Sequence, residues 1–164
     1  MNVPISTPIF ALLCASVLSS IFVVSITAFT LTVSNLLWIV PPAFILTFVI
    51  HVVFFLLANS EDNSNPSGSL RVYSAPLISS LFFTSVVWAS VTAVLVFCTV
   101  QLLTGRLPSA PRSREWAIIT ASAVSLVECI LLAAVAVQAY KVRQHLRYRE
   151  KWRWRPGATS SQWR

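Results

Sequence analysis

The chain has 164 residues, 56% of them hydrophobic and only 10% charged, with a formal net charge of +7. That balance excludes an ordinary water-soluble domain, in which about a quarter of the residues carry charge. Apart from His51, no acidic or basic side chain precedes Glu61. A stretch of that length cannot present a soluble surface, and it has room for two bilayer spans. The positive charge is uneven, because seven basic residues fall between Lys141 and Arg155. Such a cluster suits anionic lipid headgroups rather than a nucleic-acid groove.

Met1 to Pro8 is short and uncharged, and Ser6-Thr7-Pro8 supplies a helix start in which proline takes a first-turn position. The first span is expected from about residue 9 to residue 33. A cleaved leader is the rival reading, disfavoured by the length of the apolar run and the absence of Lys or Arg before it. Ser34-Asn35 is a polar break, and Pro41-Pro42 suits the start of a second span over about 38–58. Asn59 to Ser69, with Glu61, Asp62, Pro66 and Gly68, reads as a loop. Ser74-Ala75-Pro76 opens a third span over about 76–103, with Gly105 at its C-cap. Arg106 to Glu115 is a second loop, after which Ser113 caps a fourth span over about 116–140. Residues 141–164 form a basic, aromatic tail. The expected fold is all-α, an integral membrane bundle of four transmembrane helices.

An even number of spans places both termini on one side, and Lys/Arg bias selects the cytoplasm for them. Arg71 and the tail lie on that side, against Arg106, Arg112 and Arg114 on the other. Trp38 and Trp116 then mark the outer interface, and Tyr73 and Tyr140 the inner one. The localisation expected is an integral membrane protein of the plasma membrane or an endomembrane.

The fourth span carries Glu128 near its middle, where a carboxyl needs a partner or a polar path. Counting about 1.5 Å per residue, Glu128 lies about 18 Å and His51 roughly 15 to 20 Å from the outer ends of their helices. Ser20 and Ser90 fall at similar depth. These residues form a candidate intramembrane polar layer, with His51 and Glu128 expected to meet as a neutral pair, directly or through one hydroxyl or water. Its bland role is to hold helix register, and its sharper role is proton or ion handling. Small residues recur four apart, as Ala11, Ala15 and Ser19; Ala43 and Thr47; Ser85, Ala89 and Ala93; and Ala117, Ala121 and Ser125. Such stripes let helices approach closely, within one chain or between this chain and other membrane proteins.

In the tail, Arg143, Arg147, Lys151 and Arg155 recur four apart beside Gln144, Tyr148 and Trp152. Lys141, Arg143, Arg147, Arg149, Lys151, Trp152, Arg153, Trp154 and Arg155 are the candidate headgroup-binding residues, cations meeting anionic lipid and rings lying at the interface. A positive flank that only sets topology is the plainer reading of the same residues. Arg147-x-Arg149 and Arg153-x-Arg155 also look like arginine-based endoplasmic-reticulum retention signals.

Cys14, Cys98 and Cys129 lie in apolar stretches without metal-ligand spacing and read as small hydrophobes. No nucleophile with a base, Gly-rich phosphate loop or His/Cys cluster is present, so neither an enzyme nor a cofactor is expected. The four-span plan from Ile9 to Tyr140, with both termini inside, resembles that of MARVEL-type proteins and of small fungal four-span membrane proteins. The resemblance implies a non-enzymatic role in membrane organisation or in association with other membrane components. Small multidrug transporters are similar in combining four spans with a membrane glutamate, but theirs lies in the first helix and Glu128 in the fourth. A small transporter or proton-coupled channel using Glu128 and His51 is therefore the alternative expectation.

Overall fold

The computed structural model describes residues 7–31, 34–59, 73–105 and 115–153, with the side chains of Thr7, Asn59 and residues 149–153 excepted. The described residues form α1 (Thr7–Ala28), a short 3-10 helix (Asn35–Ile39), α2 (Val40–Asn59), α3 (Ala75–Leu103) and α4 (Glu115–Arg153), with no strand among them. Four segments are long and apolar enough to cross a membrane, the second combining the 3-10 turn with α2. The caps expected from Ser6 and Ser113, the connection read from Asn59 to Ser69 apart from Asn59 itself, which ends α2, and Arg71, Arg106, Arg112 and Arg114 lie outside the described residues.

Local chemistry explains where the helices begin and end. α1 stops at Ala28 rather than at the expected Val33. There, Thr27 and Thr30 turn their hydroxyls back onto the carbonyls of Val23 (2.7 Å) and Thr27 (2.9 Å), and the N–H groups of Phe29 and Thr30 bond three residues back. These contacts replace the four-residue ladder and tighten the chain out of the helix. Ser34 is extended, and its Oγ accepts the Leu36 N–H at 3.3 Å, which starts the 3-10 turn. Pro41 and Pro42 follow in the first turn of α2, where their missing N–H groups break no bond. Pro76 does the same for α3. At the other end of α3, Gly105 adopts φ +69°, and an added Cβ would meet nothing within 4 Å. Glycine is needed there for the left-handed turn and not for space.

α4 runs unbroken past Tyr140 to Arg153, a total of 39 residues. At helical rise that is about 58 Å, nearly twice the hydrocarbon thickness of a bilayer.

The helices pack as a ring. α4 makes the most extensive contacts, with α3 and then α1, while α2 packs more lightly between α1 and α3. This leaves α2 and α4 on one diagonal. Two apolar cores result: Val23, Val40, Leu95 and Ile118 belong to one, and Leu13, Phe54, Leu81 and Val135 to the other. The pairing of low numbers with high ones across neighbouring helices shows that consecutive helices run antiparallel. Large apolar side chains also cover the outside, among them Leu18, Ile45, Phe83 and Ile130.

The small-residue stripes divide. Ala43 and Thr47 are buried, as are Ala117, Ala121 and Ser125, whereas Ala89 and Ala93 of α3 face outward beyond the buried Ser85. Trp38, Trp116 and Tyr140 are exposed, but Tyr73 is buried and meets Phe54 edge-on at 6.4 Å. It belongs to the second core, unlike the exposed Tyr140.

Among the described residues Trp88 is the largest fully buried side chain. Trp88→Ala is therefore expected to destabilise the fold by about 3 kcal/mol or more, as truncation of buried aromatics does. The exposed Trp116→Ala should change stability by less than about 1 kcal/mol. Equilibrium unfolding of the reconstituted variants checks the contrast.

Candidate functional site

Near the middle of the bundle, where the two apolar cores meet, all four helices contribute polar side chains to a layer. α1 supplies Ser16, Ser19 and Ser20; α2 supplies Thr47 and His51; α3 supplies Ser85, Trp88 and Thr92; and α4 supplies Ser125, Glu128 and Cys129. With water excluded, each of these groups needs a partner inside the protein.

Glu128 is fully buried, with 0% of its surface exposed. Its carboxyl meets α1: Ser16 Oγ lies 2.6 Å from Oε1, and Ser19 Oγ hydrogen-bonds Oε2. Ser19 also reaches the Ser16 carbonyl, one helical turn back, at 3.1 Å. Ser16 and Ser19 stand three apart, so both hydroxyls face the same neighbour.

α2 and α3 are joined by Trp88, whose Nε1–H donates to Thr47 Oγ1 at 2.7 Å, while the Thr47 hydroxyl donates to the Ala43 carbonyl at 2.8 Å. His51 Nδ1 lies 2.7 Å from the Thr47 carbonyl. A carbonyl only accepts, so Nδ1 carries the hydrogen, and in the neutral ring Nε2 is a bare acceptor. Nε2 is buried without a hydrogen-bond partner.

α3 and α4 are joined twice. The Thr92 and Ser125 hydroxyls lie 3.1 Å apart. Ser85 Oγ donates to the Cys129 carbonyl at 3.3 Å, and Cys129 Sγ donates to the Ser85 carbonyl at 3.4 Å. Cys129 is thus a hydrogen-bonding group and not merely a small hydrophobe. Such reciprocal contacts require the two backbones to run close together.

The structure places the expected layer residues differently from their sequence reading. His51 does not bond Glu128; its helix lies diagonally across the ring from α4, and α1 fills the adjacent position instead. Ser20 is buried but donates to the Val17 carbonyl of its own helix at 3.0 Å. Ser90 is exposed and donates to the Val86 carbonyl at 3.2 Å, turned away from the layer. Ser16, Ser19 and Trp88 were not singled out as layer members. The signals for them were two serines three apart at the depth of Glu128, and a tryptophan at mid-span where no membrane interface would place one.

Along the α4 extension, Lys141, Gln144, His145, Arg147 and Tyr148 are exposed and Arg143 is half-buried. Gln144 donates to the Tyr140 hydroxyl at 3.0 Å. Val142 and Leu146 pack against the second core, so the first turns of the extension still belong to the bundle. The side chains of Arg149, Lys151, Trp152 and Arg153, together with Trp154 and Arg155, lie outside the described residues. Among the described residues no group of three His, Cys, Asp or Glu side chains gathers to hold a metal.

The chain matches no protein-family model, no curated protein and no solved structure.

The geometry predicts which pairs are coupled. A double-mutant cycle of Ser16→Ala with Glu128→Ala should give an interaction of about 1 kcal/mol in a bilayer unfolding assay. The cycle of His51→Leu with Glu128→Ala should be additive to within about 0.5 kcal/mol. Coupling of the second pair but not the first would reverse the assignment.

Proposed function

We propose that the protein is a multi-pass membrane protein with a non-enzymatic role, organising the bilayer or associating with other membrane components. The observation that carries this reading is the pairing of Glu128 within the bundle. The Glu128 carboxyl is taken up by two serine hydroxyls of the neighbouring helix, which suits a register-fixing device inside a stable bundle. Two surface grooves are apolar or peripheral. One lies along Trp38, Pro41, Pro42, Ile45, Leu46 and Val49, and the other is lined by Gln144, His145, Arg147 and Tyr148. Neither includes a layer residue.

In this reading both termini are cytoplasmic and the bilayer is the protein's principal partner. The α4 extension holds its cations at the inner face, where anionic headgroups would meet Lys141, Arg143 and Arg147 and the residues beyond them. The same exposed apolar faces that contact lipid are available for association with another helix.

A second reading, a small transporter or proton-coupled channel, is favoured by one observation. His51 Nε2 is a buried, unpartnered acceptor in the same layer as a buried acid.

Proteoliposomes decide between the two. The leading reading expects no proton flux above that of protein-free vesicles, whereas the second expects flux that Glu128→Gln abolishes. For the tail, the full chain should bind added anionic vesicles more strongly than neutral ones, by about 1 kcal/mol per engaged cation and less as salt rises. Replacing Arg143, Arg147 and Lys151 with Gln should weaken this preference for anionic vesicles. Equal binding to both vesicle types would rule out the headgroup role. Labelling of single cysteines in the tail and in the 106–115 connection of intact cells tests the orientation, and a tail labelled from outside would overturn it.

A further inference from the structure

Two contacts link Glu128 to α1, Ser16 Oγ with Oε1 and Ser19 Oγ with Oε2, and a third, within α1, sets Ser19 Oγ against the Ser16 carbonyl. Each needs one hydrogen between its two oxygens. The Ser16 carbonyl has none to give, and each serine hydroxyl has one. An ionised Glu128 therefore leaves two hydrogens for three contacts, and Ser19 would have to divide its hydrogen between the carboxylate and the backbone. A protonated Glu128 supplies the third.

The charge environment points the same way. No Lys or Arg lies in 8–58, 75–103 or 115–140, so the spans hold no permanent cation to face a carboxylate. The other titratable side chains on them are Cys14 on α1, His51 on α2, Cys98 on α3 and Cys129 on α4 itself, with Glu115 in its first turn and Tyr140 about three turns beyond Glu128. His51 donates from Nδ1 to its own helix and lies on the diagonal.

We propose that the seam between α1 and α4 is a proton-binding site, in which Glu128 is held as a neutral carboxylic acid that closes a directed hydrogen-bond circuit. Oε2–H donates to Ser19 Oγ, Ser19 Oγ–H donates to the Ser16 carbonyl, and Ser16 Oγ–H donates to Oε1. Only this placement satisfies every hydroxyl: with the proton on Oε1, Ser19 would again have two acceptors for one hydrogen. Each link polarises the next, which strengthens the circuit as a unit. The proton is then a structural ligand of the bundle, whether or not the protein moves ions, and the inference goes beyond both functional readings.

Infrared spectroscopy of the reconstituted full chain tests this. At about pH 8, carboxyls in water are ionised, since their ordinary pKa values lie near 4. The wild type is nevertheless expected to show a carboxylic-acid C=O stretching band, which Glu128→Gln removes. Ser16→Ala should move that band to higher frequency, because the C=O loses its donor. Absence of the band, or its persistence in Glu128→Gln, would overturn the proposal. If Glu128→Gln fails to assemble, Ser16→Ala decides alone: an unmoved band would mean that the acid is elsewhere. Proton flux is a separate measurement, so a failed functional reading leaves this result standing.

Discussion

A buried carboxyl with no cation to face it needs a polar partner, and a neighbouring helix can supply one as hydroxyls. Here that neighbour is α1, and the meeting of Glu128 with Ser16 and Ser19 determines much of the arrangement around it. With α1 on one side of α4 and α3 on the other, the ring order is closed and α2 takes the remaining corner. The α3–α4 seam is then registered by Thr92 with Ser125 and by Ser85 with Cys129, the first of each pair on α3 and the second on its antiparallel partner α4. Individually such bonds contribute on the order of 1 kcal/mol or less, because the unfolded helices in a membrane also find partners. Their weight lies in direction. Dispersion contacts among Leu, Ile and Val tolerate a sliding or rotated helix, whereas a hydroxyl within reach of one particular oxygen does not.

The two apolar cores gain from that registration. Trp88 fills the centre, and its N–H is answered by Thr47 rather than left bare in hydrocarbon. α2 is nonetheless the least embraced helix. Its links to the layer are this one bond and the contacts around His51, which spends Nδ1 on its own backbone. The bundle is thus uneven, a tightly seamed α1–α4–α3 arc closed by a lighter fourth wall.

Helix identity and ends were legible in the sequence where their causes are local. Pro41-Pro42, Pro76 and Gly105 act through their own backbone geometry, and each stands where its chemistry requires. Position along the helix was legible as well, since a fixed rise converts residue number into distance, and the polar side chains gather near the middle of the described helices. Direction around the helix was not. Ser90 shares the depth of Trp88 but lies about 200° from it at 3.6 residues per turn, so it faces outward. His51 and Glu128 share a depth too, yet pairing them assumed that α2 and α4 are neighbours. Ring order follows from the sum of all four interfaces, and no residue pattern in a single helix encodes it. The absence of a direct His51–Glu128 bond and the overlooked Ser16 and Ser19 share one cause, the choice of neighbouring helix. Tyr73 illustrates the same limit, because its ring is drawn inward by Phe54 on another helix.

The length of α4 gives the chain a mechanical property. Glu128 and Arg153 stand on one uninterrupted helix, 25 positions apart, with no glycine or proline between them to act as a joint. A helix without a joint transmits torque and thrust as a stiff rod does. A binding event that pulls or twists the far end by a fraction of a turn is therefore felt at the carboxyl about 37 Å away. The serines of α1 would oppose that twist like a pawl against a shaft, so a grip on the tail and a grip at mid-bundle are two ends of a single lever.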